Sequence, residues 1–182
     1  MTDFALMDYG ANMSDYKNRI RGKVNHANGK MFETLIEASC RWYDEMGRAS
    51  IEKTPEPMRP IKRLAGGQFV AVFEKKAQPD FKGTLNGGRT IAFEAKHTEN
   101  GEIEQNQVSD EQWRWLCAHQ ARGALCYVLV SFSFESFCMI PWDIWREMKT
   151  MYGRKYLKRS EAEIIGQVRF DGSRIHFLDH VQ

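Results

Sequence analysis

The chain has 182 residues, 42% of them hydrophobic, and 26 Lys and Arg against 24 Asp and Glu leave a net charge of +2. That length suits one domain with a sizeable core, and so small a net charge does not by itself point to nucleic acid. No apolar run approaches the ~18–20 residues of a membrane span, and the N-terminus lacks a signal-peptide pattern, so a soluble cytoplasmic protein is expected. Cys40, Cys117, Cys126 and Cys138 show no Cys-x-x-Cys spacing and fall in apolar contexts. Buried free thiols are expected there rather than disulfides or a structural zinc.

Residues 1–24 are polar with few core positions, which predicts a flexible arm ahead of one domain over 25–182. Asn28 can cap a helix over Lys30 to Met46, where Phe32, Leu35, Ile36, Cys40 and Tyr43 recur at helical spacing and Gly47 closes the run. Ala49 to Lys53 reads as a short strand, followed by a Pro-rich segment ending at Gly66-Gly67 and a strand-like run from Gln68 to Phe73. Two further strands flank Asn86-Gly87-Gly88-Arg89, the first from Asp80 and the second from Thr90 to Lys96. An Asn-Gly turn between apolar runs predicts a β-hairpin. Ser109 or Asp110 caps a second helix ending near Gly123, and Leu125 to Phe132 reads as a strand buried on both faces. Pro141 starts a helix with Trp142, Ile144, Trp145 and Met148 on its apolar stripe. Ser160-Glu161-Ala162-Glu163 has a capping-box pattern before a hairpin at Asp171-Gly172. Helix, strands, helix, strand in this order predict an α/β fold with a mixed sheet between helices.

The chemistry concentrates on the hairpin. A period of two puts Ala92, Glu94 and Lys96 on one strand face and Ile91, Phe93 and Ala95 on the other. The partner strand can deliver Asp80 beside them. Two carboxylates and a lysine so placed can hold a divalent metal, whose bound water becomes a nucleophile for a phosphodiester. Each part alone has a plainer reading: Asp after Pro is often a turn residue, and an exposed Glu-x-Lys pair contributes roughly 0–1 kcal/mol. His97 reads as a solvated strand-end histidine. Trp113, Trp115 and Trp142 read as core or interface contacts rather than base-stacking platforms.

Pro79-Asp80, followed by Glu94-Ala95-Lys96, resembles the PD-(D/E)xK nuclease superfamily. The wider pattern is similar to the RecU-type Holliday junction resolvases: Asn28-Gly29-Lys30-Met31-Phe32-Glu33, Lys53-Thr54-Pro55-Glu56-Pro57, Asp80-Phe81-Lys82-Gly83, Ile91 through Thr98, and the helix carrying Gln112. The resemblance covers roughly Asn25 to Trp145. It implies a single-domain nuclease-like fold with a protruding stalk, here about residues 55–78, and an endonuclease of DNA recombination and repair that nicks a four-way junction symmetrically as a homodimer. It further implies Asp80, Glu94, Lys96 and Gln112 as catalytic residues. Asp80, Glu94 and the Ala95 carbonyl would hold Mg²⁺, with Mn²⁺ able to substitute and Glu33 as a further ligand. No nucleotide cofactor and no membrane partner are expected. The family has an arginine where this chain has Asn28, and its stalk is longer.

Basic residues cluster at Arg19 to Lys23, Arg59 to Arg63, Lys75-Lys76 with Lys82, and Arg154 to Arg159, whereas Thr98 to Trp113 has five acidic residues and no Lys or Arg. Segregated charge of this kind can present a basic groove to a phosphate backbone, and otherwise makes ordinary solvated faces. Arg59, Lys62, Arg63, Lys75, Lys76 and Lys82 are the DNA-binding candidates. Two other functions remain open: a structure-unspecific or sequence-specific nuclease of the same superfamily, and a DNA-binding module with an idle site.

Overall fold

The computed structural model describes residues 9–74 and 78–181. Its first element is a 37-residue helix, α1 (Tyr9–Glu45). Phe32, Ile36, Cys40 and Tyr43 form the buried stripe of its second half, at the spacing that repeats on one helical face. The helix does not begin at Asn28. It runs through Asn28 and Gly29, and the Asn28 amide donates to Glu99 Oε1 at 2.8 Å instead of capping. No proline interrupts residues 9–45, and a lysine- and arginine-bearing helix tolerates Gly22 and Gly29 at about 1 kcal/mol each. From Tyr9 onward the expected flexible arm is therefore helix, with Tyr16, Ile20 and Val24 exposed. At the far end Gly47 adopts φ 63° and closes the helix, where a left-handed residue is easiest for glycine.

β1 (Ala49–Lys53) follows, then β2 (Met58–Arg63), β3 (Phe69–Phe73), β4 (Phe81–Leu85) and β5 (Thr90–Thr98). Next come β6 (Glu102–Glu104), α2 (Asp110–Gln120), β7 (Leu125–Phe132) and β8 (Ser136–Pro141). The chain closes through α3 (Trp142–Arg146), α4 (Met148–Tyr152), β9 (Tyr156–Lys158), α5 (Arg159–Gly166) and β10 (Gln167–Val168). Six strands form the main sheet in the order β1-β4-β5-β7-β8-β10. Neighbours are antiparallel except β5 and β7, which run parallel with Glu94 opposite Val128. Between these two, β6 and α2 make the crossover that a parallel pair needs. β7 is buried at every position after its first, on both faces, which is why its sequence is one continuous apolar run.

Each face of the sheet has its own core. On one, the α1 stripe packs against Ile51, Phe81, Ile91, Phe93 and Leu129. On the other, Ala92, Val128, Val130 and Ile140 pack against Leu116 of α2 and Trp142 and Trp145 of α3. Burial of a side chain such as Phe93 contributes roughly 1.5–3 kcal/mol. The result is an α/β fold, a mixed sheet flanked by helices. Cys40, Cys126 and Cys138 are buried free thiols and Cys117 is half-buried. Burial pushes Cys40 and Cys126 up to about 12, far from the thiolate that would make them reactive.

β2 and β3 form a separate two-stranded sheet. Every residue of β2 is exposed, as is all of β3 except the half-buried Ala71. The pairing shifts register between Pro60 and Lys62, where proline has no N–H to give to the ladder. This hairpin occupies most of the segment read as a stalk, although Lys75 and Lys76 lie outside the described residues. The last helix starts two residues earlier than its capping pattern suggests: Glu161 accepts from Lys158 N at 2.9 Å, and Arg159 is the first helical residue. Two of the four cations of the basic cluster there are paired, Arg154 with Glu161 and Arg159 with Glu135 and Glu163. Among the described residues no helix is long and apolar enough to cross a membrane.

Candidate active site

The β4–β5 hairpin builds the site. Its pairing sets Phe81 opposite Phe93 and Lys82 opposite Ala92, so Asp80, just before β4, falls level with Glu94. The two acids lock their strands reciprocally. Asp80 Oδ2 accepts from Ala95 N at 3.0 Å, and Asp80 N donates to Glu94 Oε2 at 3.2 Å. Phe93 and Ala95 point into the α1 core, so the period of two turns Glu94 and Lys96 toward α2. Lys96 Nζ lies 2.8 Å from Glu94 Oε1. Gln112 Nε2 reaches the same oxygen at 2.6 Å.

Gln112 is doubly engaged. Its Oε1 accepts from Ser109 N at 3.0 Å while Ser109 Oγ accepts from Gln112 N, a capping box at the start of α2. One side chain thus fixes the helix N-terminus and the Glu94 carboxylate together. Through these contacts Gln112 ties the Glu94 carboxylate to the start of α2.

Glu94 is only 1% exposed and Asp80 7%. Burial, and after it the charge of Asp80, raises the Glu94 pKa, while Lys96 pulls it down. A buried pair of carboxylates with one ammonium beside it carries more negative charge than its surroundings can solvate, and a divalent cation relieves that imbalance. Among the described residues no three His, Cys, Asp or Glu side chains converge. The donor set is therefore two carboxylates, with the Ala95 carbonyl beside them on β5, which fits a hard ion that keeps several waters. Glu33 is not brought into this set. It faces β1 from α1, 2.7 Å from Lys53 Nζ, which also reaches Glu37 at 3.0 Å.

Two positions depart from the sequence reading. The ring of His97 is buried, its side chain 4% exposed, and lies 3.1 Å from Ser131 Oγ and 2.8 Å from Glu99 Oε1. Phe134, held at φ 56°, packs over it with centroids 4.4 Å apart. Thr54, noticed in sequence only within a Lys-Thr-Pro motif, donates its N–H to the Asp80 carbonyl at 2.8 Å. Its hydroxyl is buried without a hydrogen-bond partner among the described residues. Of the basic candidates, Lys82 shares the sheet face of Glu94 and donates to Gln78 Oε1. Lys62 and Arg63 are exposed on the hairpin, where Arg59 pairs with Glu74 at 3.1 Å.

A mixed sheet whose β4–β5 hairpin presents Asp80, Glu94 and Lys96 is the arrangement of the PD-(D/E)xK class of nucleases. More particularly, the chain belongs to the Recombination protein U family, whose model matches residues 27–182. It is 28% identical over 160 residues to the Holliday junction resolvase RecU of Geobacillus kaustophilus, covering 82% of this chain and 75% of that one. To the Holliday junction resolvase RecU of Streptococcus pneumoniae strain Taiwan19F-14 it is 27% identical over 161 residues, covering 82% and 81%. Among solved structures, the Holliday junction resolvase Hjc of Archaeoglobus fulgidus superposes with a TM-score of 0.45 at 15% identity, covering 76% of this chain and 95% of that one. Resolvase nucleases of this family use divalent metal ions.

Proposed function

We propose that this protein is a Mg²⁺-dependent endonuclease that resolves four-way DNA junctions, cutting two strands symmetrically as a homodimer. The observation that carries the reading is the convergence of Asp80, Glu94 and Lys96 on one face of the β4–β5 hairpin, with Glu94 anchored by Gln112. The curated relatives named as junction resolvases support the substrate. Asp80 and Glu94, with the Ala95 carbonyl, would hold Mg²⁺. When bound, the ion supplies an activated water and neutralises charge developing on the scissile phosphate. Lys96 holds the attacking water and a non-bridging phosphate oxygen as a compact cation. Gln112 keeps Glu94 oriented by its hydrogen bond to Oε1.

The exposed β2–β3 hairpin places Lys62 and Arg63 away from the sheet, where they can meet phosphates between duplex arms. Its exposed Met58, Ile61, Phe69 and Phe73 offer apolar surface to a second copy. Two nicks related by a two-fold axis need two sites so related.

The test is Asp80→Asn. An asparagine keeps an oxygen to accept from Ala95 N, but removes one metal-binding charge. Cleavage of a synthetic junction should be lost, while junction binding in a gel-shift assay is retained or tightened because one negative charge near the phosphates is gone. A variant that still cuts would remove Asp80 from the site.

A further inference from the structure

Gln112 is the first member of a stripe on α2. Trp115 and His119 follow it at i+3 and i+7, the spacing that keeps side chains on one helical face. Gln112 meets the catalytic Glu94, and the stripe then leads away from that carboxylate for roughly 10 Å at 1.5 Å per residue. The Trp115 and His119 rings stack, centroids 3.6 Å apart with 14° between their planes. Facing them are Lys82 and Thr84 of β4, Thr90 of β5 and Ser50 of β1, and together they line a groove of about 490 Å³. The groove begins beside the site, because Lys82 pairs with Ala92, the preceding residue on Glu94's own face.

This lining suits one kind of ligand. The Lys82 ammonium, an imidazole and three hydroxyls are donors for phosphate oxygens, with the Lys53 ammonium, which pairs with Glu33 and Glu37, also at the rim, and the indole gives an apolar wall for a sugar. Glu52, the carboxylate among the lining residues, sits on the outer strand opposite Lys82 in the β1–β4 ladder. Burial, and then the charges of Arg122 and Lys82, hold His119 below the ordinary histidine range. Its ring is therefore a neutral N–H donor in a locally positive field, which favours an anion.

We propose that this groove seats the backbone of the scissile strand on one side of the cut. Lys82 and His119 bind a phosphate one or two nucleotides from the scissile one, within the roughly 10 Å that seven helical residues span. The Trp115–His119 stack lies against the intervening sugars and keeps the strand in line with Lys96. The assignment rests on the nuclease reading above and adds to it two positioning residues, Trp115 and His119, outside the carboxylate set.

The test uses four-way junctions in which one phosphate at a time near the cut is replaced by a neutral methylphosphonate, cleaved by the full-length protein with Mg²⁺ under single-turnover conditions. The wild type should slow about tenfold at one flanking position on one side only, as loss of a charge-assisted hydrogen bond would do. His119→Ala should slow several-fold on the unmodified junction and become less sensitive to the replacement at that same position. Lys82→Ala should behave alike, so the sheet side checks the helix side if one variant folds poorly. Loss of helix stability alone would slow cleavage without removing sensitivity at one particular phosphate. Full sensitivity of both variants at every position, or no sensitive flanking position in the wild type, overturns the groove. A wild type that leaves the unmodified junction uncut fails at the nuclease reading itself.

Discussion

Glu94 satisfies three donors with two oxygens: Lys96 and Gln112 on Oε1, and Asp80 N on Oε2. Its raised pKa gives a pH dependence of definite sign. A carboxyl whose folded pKa lies above its ordinary value of 4.5 contributes stability at acid pH, and that contribution is lost as pH rises through the folded value. In EDTA, then, the wild-type melting temperature should fall from acid to mildly alkaline pH relative to Glu94→Gln, which has nothing to titrate there. Mg²⁺ affinity, measured calorimetrically, should rise over the same range because the ion must displace a proton. Parallel melting profiles for the two proteins would contradict this electrostatic picture. The capping box separates two roles of α2. Ser109→Ala should cost about 1 kcal/mol in urea unfolding with cleavage kept within a few-fold, whereas Gln112→Ala should lower the cleavage rate at unchanged DNA affinity. That Asp80, Glu94 and Lys96 come together was legible in sequence, from a period of two and a turn. The partners of Gln112 were not: its contacts with Ser109 are local to the start of α2, but Glu94, which its amide also meets, is 18 residues away. His97 was misread because its burial comes from Ser131 and Phe134, more than thirty residues away.

At the scale of elements, the hairpin that carries the site depends on how closely β1 approaches β4. Gly83 lies opposite Ile51, and a Cβ there would meet Ser50 O at 2.1 Å and Ile51 Cα at 2.5 Å, both backbone atoms that cannot rotate away. Gly83→Ala should therefore destabilise the fold by roughly 1–3 kcal/mol, the range for overpacking, seen as a lower urea midpoint. In sequence Gly83 is one residue of the strand that leads into the turn; only strand pairing reveals it as a point of contact. The length of α1 was likewise illegible, since Asn28-Gly29 has the composition of a helix start and the contact that spends Asn28 elsewhere, Glu99, is 71 residues distant. β1, α2 and β7 were legible because their apolar periods and caps are local. For the β2–β3 hairpin, replacing Lys62 and Arg63 with alanine should weaken junction binding. The slope of log affinity against log salt should shallow by about one unit per lost phosphate contact. An unchanged slope would place the DNA on another surface.

The whole molecule joins two parts with different work. A buried hairpin between two cores holds the carboxylates at fixed separation, and an exposed hairpin of apolar and basic side chains forms a sheet of its own. Chemistry that tolerates little displacement belongs on the first, and contact with a partner molecule or branched DNA on the second. The measurement that tests this division most directly is cleavage of a synthetic four-way junction beside a linear duplex of the same arm sequence, each with Mg²⁺ and with EDTA. Paired, symmetric nicks in the junction alone, abolished by EDTA, are the predicted result. Equal cutting of both substrates, or tight junction binding with no cutting in Mg²⁺, would contradict the assignment of this protein as a junction resolvase.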